Sequence, residues 1–179
     1  MAPEKKDDLE LRRAVMIAAV EGGSLDRVKE LTTFDARLVK AHDAKGRSLI
    51  QLAAERVAWD SPNHTRIAQF LLDRGCDCDL PTAARAGLVD HVKKVVDGYP
   101  NLLDAPDSLG RTPLQRAALL TGSSNECEAI ADFLLSRGAL LDIFTACTFG
   151  RPDVVVTLLH HDASLISTRY QGGTPLHWA

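Results

Sequence analysis

The chain has 179 residues, 45% of them apolar and 25% charged, with a formal net charge of -3. Such a length can bury a core without staples, and the composition excludes a disordered chain. The charge excludes nucleic acid as the main ligand, because neutralising phosphates needs a clustered Lys/Arg excess.

Residues 1–8 form a polar segment of mixed charge, without the apolar run of a signal peptide or the Arg-rich, acid-poor character of a transit peptide. No run of 18 apolar residues follows, so no membrane partner is expected and the default setting is cytoplasmic. From residue 9 to residue 179 the chain repeats itself. Gly46-Arg47-Ser48-Leu49-Ile50-Gln51-Leu52-Ala53-Ala54 returns as Gly110-Arg111-Thr112-Pro113-Leu114-Gln115-Arg116-Ala117-Ala118, and again as Gly172-Gly173-Thr174-Pro175-Leu176-His177-Trp178-Ala179. Each long unit contains two half-units, and each half-unit reads as two short helices and a loop.

The first unit carries the small pair Ala18-Ala19 and then the apolar stripe Leu25, Val28, Leu31. A loop of about a dozen residues follows, with a tight turn expected at Asp43–Gly46. The second unit opens at Ser48, has Ala53-Ala54, and continues into Ile67, Phe70, Leu71 and Leu72, stopped by Gly75. The third replaces its opening by Leu80-Pro81-Thr82-Ala83, so its first helix and turn tip should be reduced; Val92, Val95 and Val96 mark its second helix. A second long loop ends in a turn at Asp107–Gly110.

The fourth unit shows the full opening, with Thr112 as N-cap, Pro113 at the first helical position and Leu114 after it. Its second helix runs through Ile130, Phe133, Leu134 and Leu135 to Gly138. The fifth again lacks the opening, having Ile143-Phe144-Thr145-Ala146, then Val155, Leu158 and Leu159. Units two and four carry extra residues between their helices, 57–63 and 119–125.

Thr-Pro-Leu-His/Gln with Ala-Ala close behind, and the ending Leu134-Leu135-Ser136-Arg137-Gly138-Ala139, resemble the ankyrin repeat. The resemblance covers residues 9–179 as about five repeats plus the start of a sixth. It implies an all-α solenoid of stacked helix-turn-helix units with β-turn loops, a fold that the family uses for protein recognition. Ala179 falls inside the first helix of a unit, which raises two expectations. One is a longer protein, in which this stack is the substrate-recognition half of an enzyme or a ubiquitin-ligase-type adaptor. The other is an end-to-end dimer through the uncovered last face of an otherwise monomeric chain.

Sequence motifs for phosphate loops, dinucleotide sites, nucleophile elbows, zinc helices and calcium loops are missing, so neither catalysis nor a cofactor is expected. Cys76, Cys78, Cys127 and Cys147 have neither zinc-pair nor disulfide spacing and read as buried thiols, ahead of a redox or metal role for the first two. His160 and His161 are adjacent on a helix and do not face one ion. Gln51, Gln115 and His177 are expected to hold neighbouring turns, and Asp43, Asp104 and Asp107 to cap them.

The expected activity is therefore non-enzymatic binding of a protein partner by the concave face and turn tips. Its candidate residues are Lys45, Arg47, Glu55, Asp107, Arg111, Arg116, Arg169, Tyr170, Gln171 and Trp178. The arginines and aromatics among them suit interface hot spots, and the arginines also suit an acidic or phosphorylated peptide. Trp59, in the first insertion, is either tucked onto the helices or offered to a partner.

Overall fold

Side chains at the helix starts decide where each element begins. The Ser48 hydroxyl accepts a hydrogen bond from Gln51 N at 3.3 Å, while Ser48 N donates back to Gln51 Oε1 at 2.9 Å. Thr112 and Gln115 repeat this reciprocal cap with the same two distances. Each cap satisfies two backbone donors that the first turn leaves free. Where the Thr-Pro-Leu phrase is missing, aspartate takes over: Asp79 accepts from Thr82 N at 2.7 Å and Asp142 from Thr145 N at 2.6 Å.

The computed structural model describes residues 6–57, 62–120, 124–170 and 172–178. Those residues are all-helical. Their ten α-helices are α1 (Lys6–Glu21), α2 (Leu25–Phe34), α3 (Leu49–Arg56), α4 (Pro62–Asp73), α5 (Leu80–Arg85), α6 (Val89–Gly98), α7 (Pro113–Ala118), α8 (Asn125–Ser136), α9 (Ile143–Thr148) and α10 (Pro152–His161). Short 3₁₀ turns span Ala36–Lys40, Pro100–Leu102, Ala163–Ser167 and Pro175–Trp178. The described residues contain no strand, only the isolated antiparallel bridges His42 to Ser48 and Tyr170 to Gly173.

Two sequence expectations are revised here. Residues 6–8 of the polar segment already belong to α1, which begins at Lys6. Helices α5 and α9 are short as expected, six residues each, but α7 is equally short despite its complete opening phrase. The cap and proline set where α7 starts; they do not set its length.

Substantial contacts link helices of one pair or of adjacent pairs in chain order. Helices α1, α3, α5, α7 and α9 form one row, each touching the next; on the other side α2 meets α4 and α6 meets α8. Alanines let the first row close up: Ala53, Ala83, Ala117 and Ala146 are fully buried. Met16, Ile50, Ile67, Leu71, Leu114, Ile130 and Leu134 fill the space between rows. Burying one such large side chain stabilises by about 1.5–3 kcal/mol. The apolar stripe of α10 is only half-buried, because no further α-helix lies over it among the described residues, and Val156, Ile166 and Leu176 stay exposed.

Candidate functional site

Two turn tips of identical construction project from the first row of helices. In the first, Asp43 Oδ1 accepts from Lys45 N at 2.9 Å and Arg47 N at 2.8 Å, and Gly46 N donates to Asp43 O at 3.0 Å. In the second, Asp107 Oδ1 accepts from Leu109 N at 2.8 Å and Arg111 N at 3.0 Å, and Gly110 N donates to Asp107 O at 2.9 Å. Both turns close through a left-handed glycine, Gly46 at φ 77° and Gly110 at φ 75°. An L side chain would strain that backbone.

The tips differ in how their arginines are satisfied. Arg47 Nε donates to Asp43 Oδ2 at 2.8 Å, and its Nη1 also reaches Glu55. Burial pushes the Asp43 carboxyl up, but hydrogen bonds from Arg47 and Lys45 outweigh it and hold the group below its usual value. At the second tip a single carboxylate oxygen, Asp107 Oδ2, lies 3.4 Å from Arg111 Nε and 3.6 Å from Arg116 Nε. Both Nε atoms are buried and neither makes a hydrogen bond. Burial first, and the Arg111 charge second, hold the Arg116 guanidinium below the usual arginine value.

Between the tips stands α5, preceded only by the short stretch from Arg74 to Asp79, so no tip fills the space. The space is a cavity of about 260 Å³, and Lys45, Arg47, Gln51, Glu55, Thr82, Asp107, Ser108, Leu109, Arg111 and Arg116 line it. Six of the eleven sequence candidates therefore converge here: Lys45, Arg47, Glu55, Asp107, Arg111 and Arg116. Arg116 and Asp107 are not open-surface residues, because their side chains are only 6% and 8% exposed. Sequence reasoning missed Thr82, on the floor, and Arg85, one turn further along α5. Burial, followed by repulsion from Arg116, lowers the Arg85 pKa, and its Nη1 is buried without a hydrogen bond.

The remaining candidates lie elsewhere. Tyr170 and Trp178 pack with Phe144, the three ring centroids 5.5–6.5 Å apart, and Arg169 Nη1 donates to Gly172 O at 3.0 Å. Trp59 and Gln171 fall outside the described residues. His177 Nδ1 lies 3.2 Å from Thr174 N and 2.8 Å from Thr174 Oγ1, a contact within its own segment rather than the expected one to a neighbouring turn. Asp104 Oδ1 accepts from Leu140 N at 3.0 Å, joining two loops. The four cysteines are free thiols, and burial raises each pKa, that of Cys78 to about 12. Among the described residues no three His, Cys, Asp or Glu side chains converge as a metal would require.

A second cavity, of about 400 Å³, lies against α9 and α10 and is walled by Ile143, Val155, Leu159 and Leu176. Arg151 is the only charged residue on its wall among the described residues, which offer little to orient a ligand. No known protein-family model matches the chain, and no curated protein matches it.

Proposed function

We propose that the chain is an ankyrin-type repeat array that binds a protein partner, and that the cleft between the tips at 43–47 and 107–111 is where the partner docks. The observation that carries this reading is the convergence of six polar, mostly cationic side chains from two tips and α3 and α7 onto one open cavity. Supporting the repeat reading are the reciprocal caps recurring at Ser48 and Thr112 and the helix pairs whose substantial contacts are with their neighbours. Arginines held by caps and turns lose little freedom on docking, which suits them as interface anchors.

The test substitutes residues that line the cleft without holding it together. Lys45 engages its turn through its backbone N–H, and Leu109 is 70% exposed on the second tip. A Lys45→Glu, Leu109→Asp double variant should keep the helical spectrum of the parent and lose the protein captured by the parent from source-cell lysate. Capture undiminished by the double variant would reject the cleft as the docking surface.

A further inference from the structure

We propose that the cleft holds a pocket for a single oxyanion, carried by an acidic or phosphorylated side chain of the docking segment. The inference deepens the protein-binding reading and rests on it.

Charge is the first argument. Lys45, Arg47, Arg111 and Arg116 line the cavity against only two carboxylates, Glu55 and Asp107. Arg47 is engaged by Glu55 and also by Asp43 outside the cavity wall, and Asp107 is divided between Arg111 and Arg116, so the four cations meet three carboxylates and one positive charge is left over. The chain as a whole carries a net charge of -3, so a local cationic excess runs against its average.

Unmet hydrogen bonding is the second. A buried guanidinium N–H without an acceptor costs more than an ordinary unmade bond, because the charge has left water. Arg116 is 6% exposed along its side chain, and its Nε and that of Arg111 are both buried without hydrogen bonds. Asp107 Oδ2 is close enough to lower the electrostatic cost, yet it is too far away to accept a normal hydrogen bond from either. An incoming oxygen accepting from both Nε–H groups would supply what Asp107 does not. Guanidinium donors match the planar carboxylate and the tetrahedral phosphate alike.

Position is the third. The pocket opens between two tips, where an extended segment lying across the first row of helices would pass, and Thr82 and Gln51 offer neutral partners on its floor. Arg85, one turn beyond Thr82, adds a further positive charge behind the pocket.

The experiment follows the arginine Nε–Hε resonances of the full, 15N-labelled chain while inorganic phosphate or acetate is added at constant ionic strength. Saturable shifts at Arg111 and Arg116 are expected. Affinity, read at Arg111, should fall about tenfold in Arg116→Gln. Lys45→Gln, at an exposed position, should weaken it too. Asp107→Asn keeps the Oδ1 acceptor that closes the turn and removes the competing charge, so it should tighten binding. Phosphate tighter than acetate assigns a phosphorylated side chain, and parity assigns a carboxylate. Shifts that rise linearly without saturating, or that ignore both Arg116→Gln and Lys45→Gln, would overturn the pocket. That result leaves the protein-binding reading standing, because the latter is judged by capture with the Lys45, Leu109 double variant.

Discussion

Replacing Arg116 by methionine should make the protein more stable, and the sign of that change separates a structural arginine from one kept for a ligand. At 3.6 Å the attraction to Asp107 Oδ2 is about 4–5 kcal/mol at an effective dielectric of about 20. Opposing it are the several kcal/mol needed to strip water from a buried guanidinium and the repulsion of Arg111. The Arg116 pKa lies below the ordinary arginine value, burial being its larger cause and Arg111 the next. The charged form is therefore less favourable in the fold than in the unfolded chain, so the two penalties exceed the attraction. Methionine follows the arginine side chain as far as Nε, keeps good helix propensity in α7 and fills irregular space, while Asp107 retains Arg111 at 3.4 Å. The expected gain is about 1–3 kcal/mol. In a domain of this size that raises Tm by roughly 2–4 °C per kcal/mol. Urea unfolding followed by circular dichroism measures it. A loss of more than about 1 kcal/mol would refute the reasoning, since Arg116 would then be a net clamp on the second tip rather than a cost that the fold carries.

Three further outcomes are expected. Thr112→Ala removes the hydroxyl that accepts from Gln115 N and should cost about 1 kcal/mol in the same unfolding assay, whereas Thr112→Ser should cost little; equal losses would place the effect in the methyl group. All four thiols have pKa values raised by burial, although Cys78 and Cys147 are only half-buried, so a thiol reagent at pH 7.5 should label the native chain far more slowly than the urea-unfolded one, and rapid native labelling of the buried Cys127 would contradict the reasoning. The carboxyl of Asp43 sits below its ordinary value of 3.8 in the fold, so its stabilising contribution is complete above that pH and is lost as pH falls through the depressed value. Stability should hold from pH 7 down to about 5 and decline below about 4, less steeply in Asp43→Asn, and an identical acid decline in that variant would remove Asp43 from the account.

Local features were legible in the sequence because their causes are local. The Asp…Gly spacing announced both tips, the Thr-Pro-Leu phrase announced the start of α7, and Gln51 and Gln115 proved to be cap partners. Arg116 was harder. Its chemistry argued for an open surface, yet in the alignment of copies it occupies the position of Leu52, which is 2% exposed. An arginine in the register of a buried leucine was the available signal that Arg116 is buried. Arg85 had no such marker, since its burial arises only when α7 packs on α5. The cavity was illegible for the same reason: a reduced third unit could be read from one stretch of sequence, but the gap it leaves needs the tips on both sides.

The repeat makes that gap twice, and the two are finished differently. The fifth unit also lacks a tip, and its gap is bordered by Gln115, Asp142, Phe144, Thr145, Tyr170 and Trp178. Thr145 stands there as Thr82 stands in the first gap, each receiving a cap from an aspartate three residues earlier, and Trp178 occupies the register of Arg116. The three rings pack against one another and leave only about 10 Å³, where the arginines leave about 260 Å³. Aromatic faces attract each other and close the space, whereas like-charged guanidiniums repel and do not pack together. Scaffold, caps and floor being alike, side-chain chemistry at one register distinguishes the filled gap from the open one. The open gap therefore owes its volume to charges that the fold alone leaves unsatisfied.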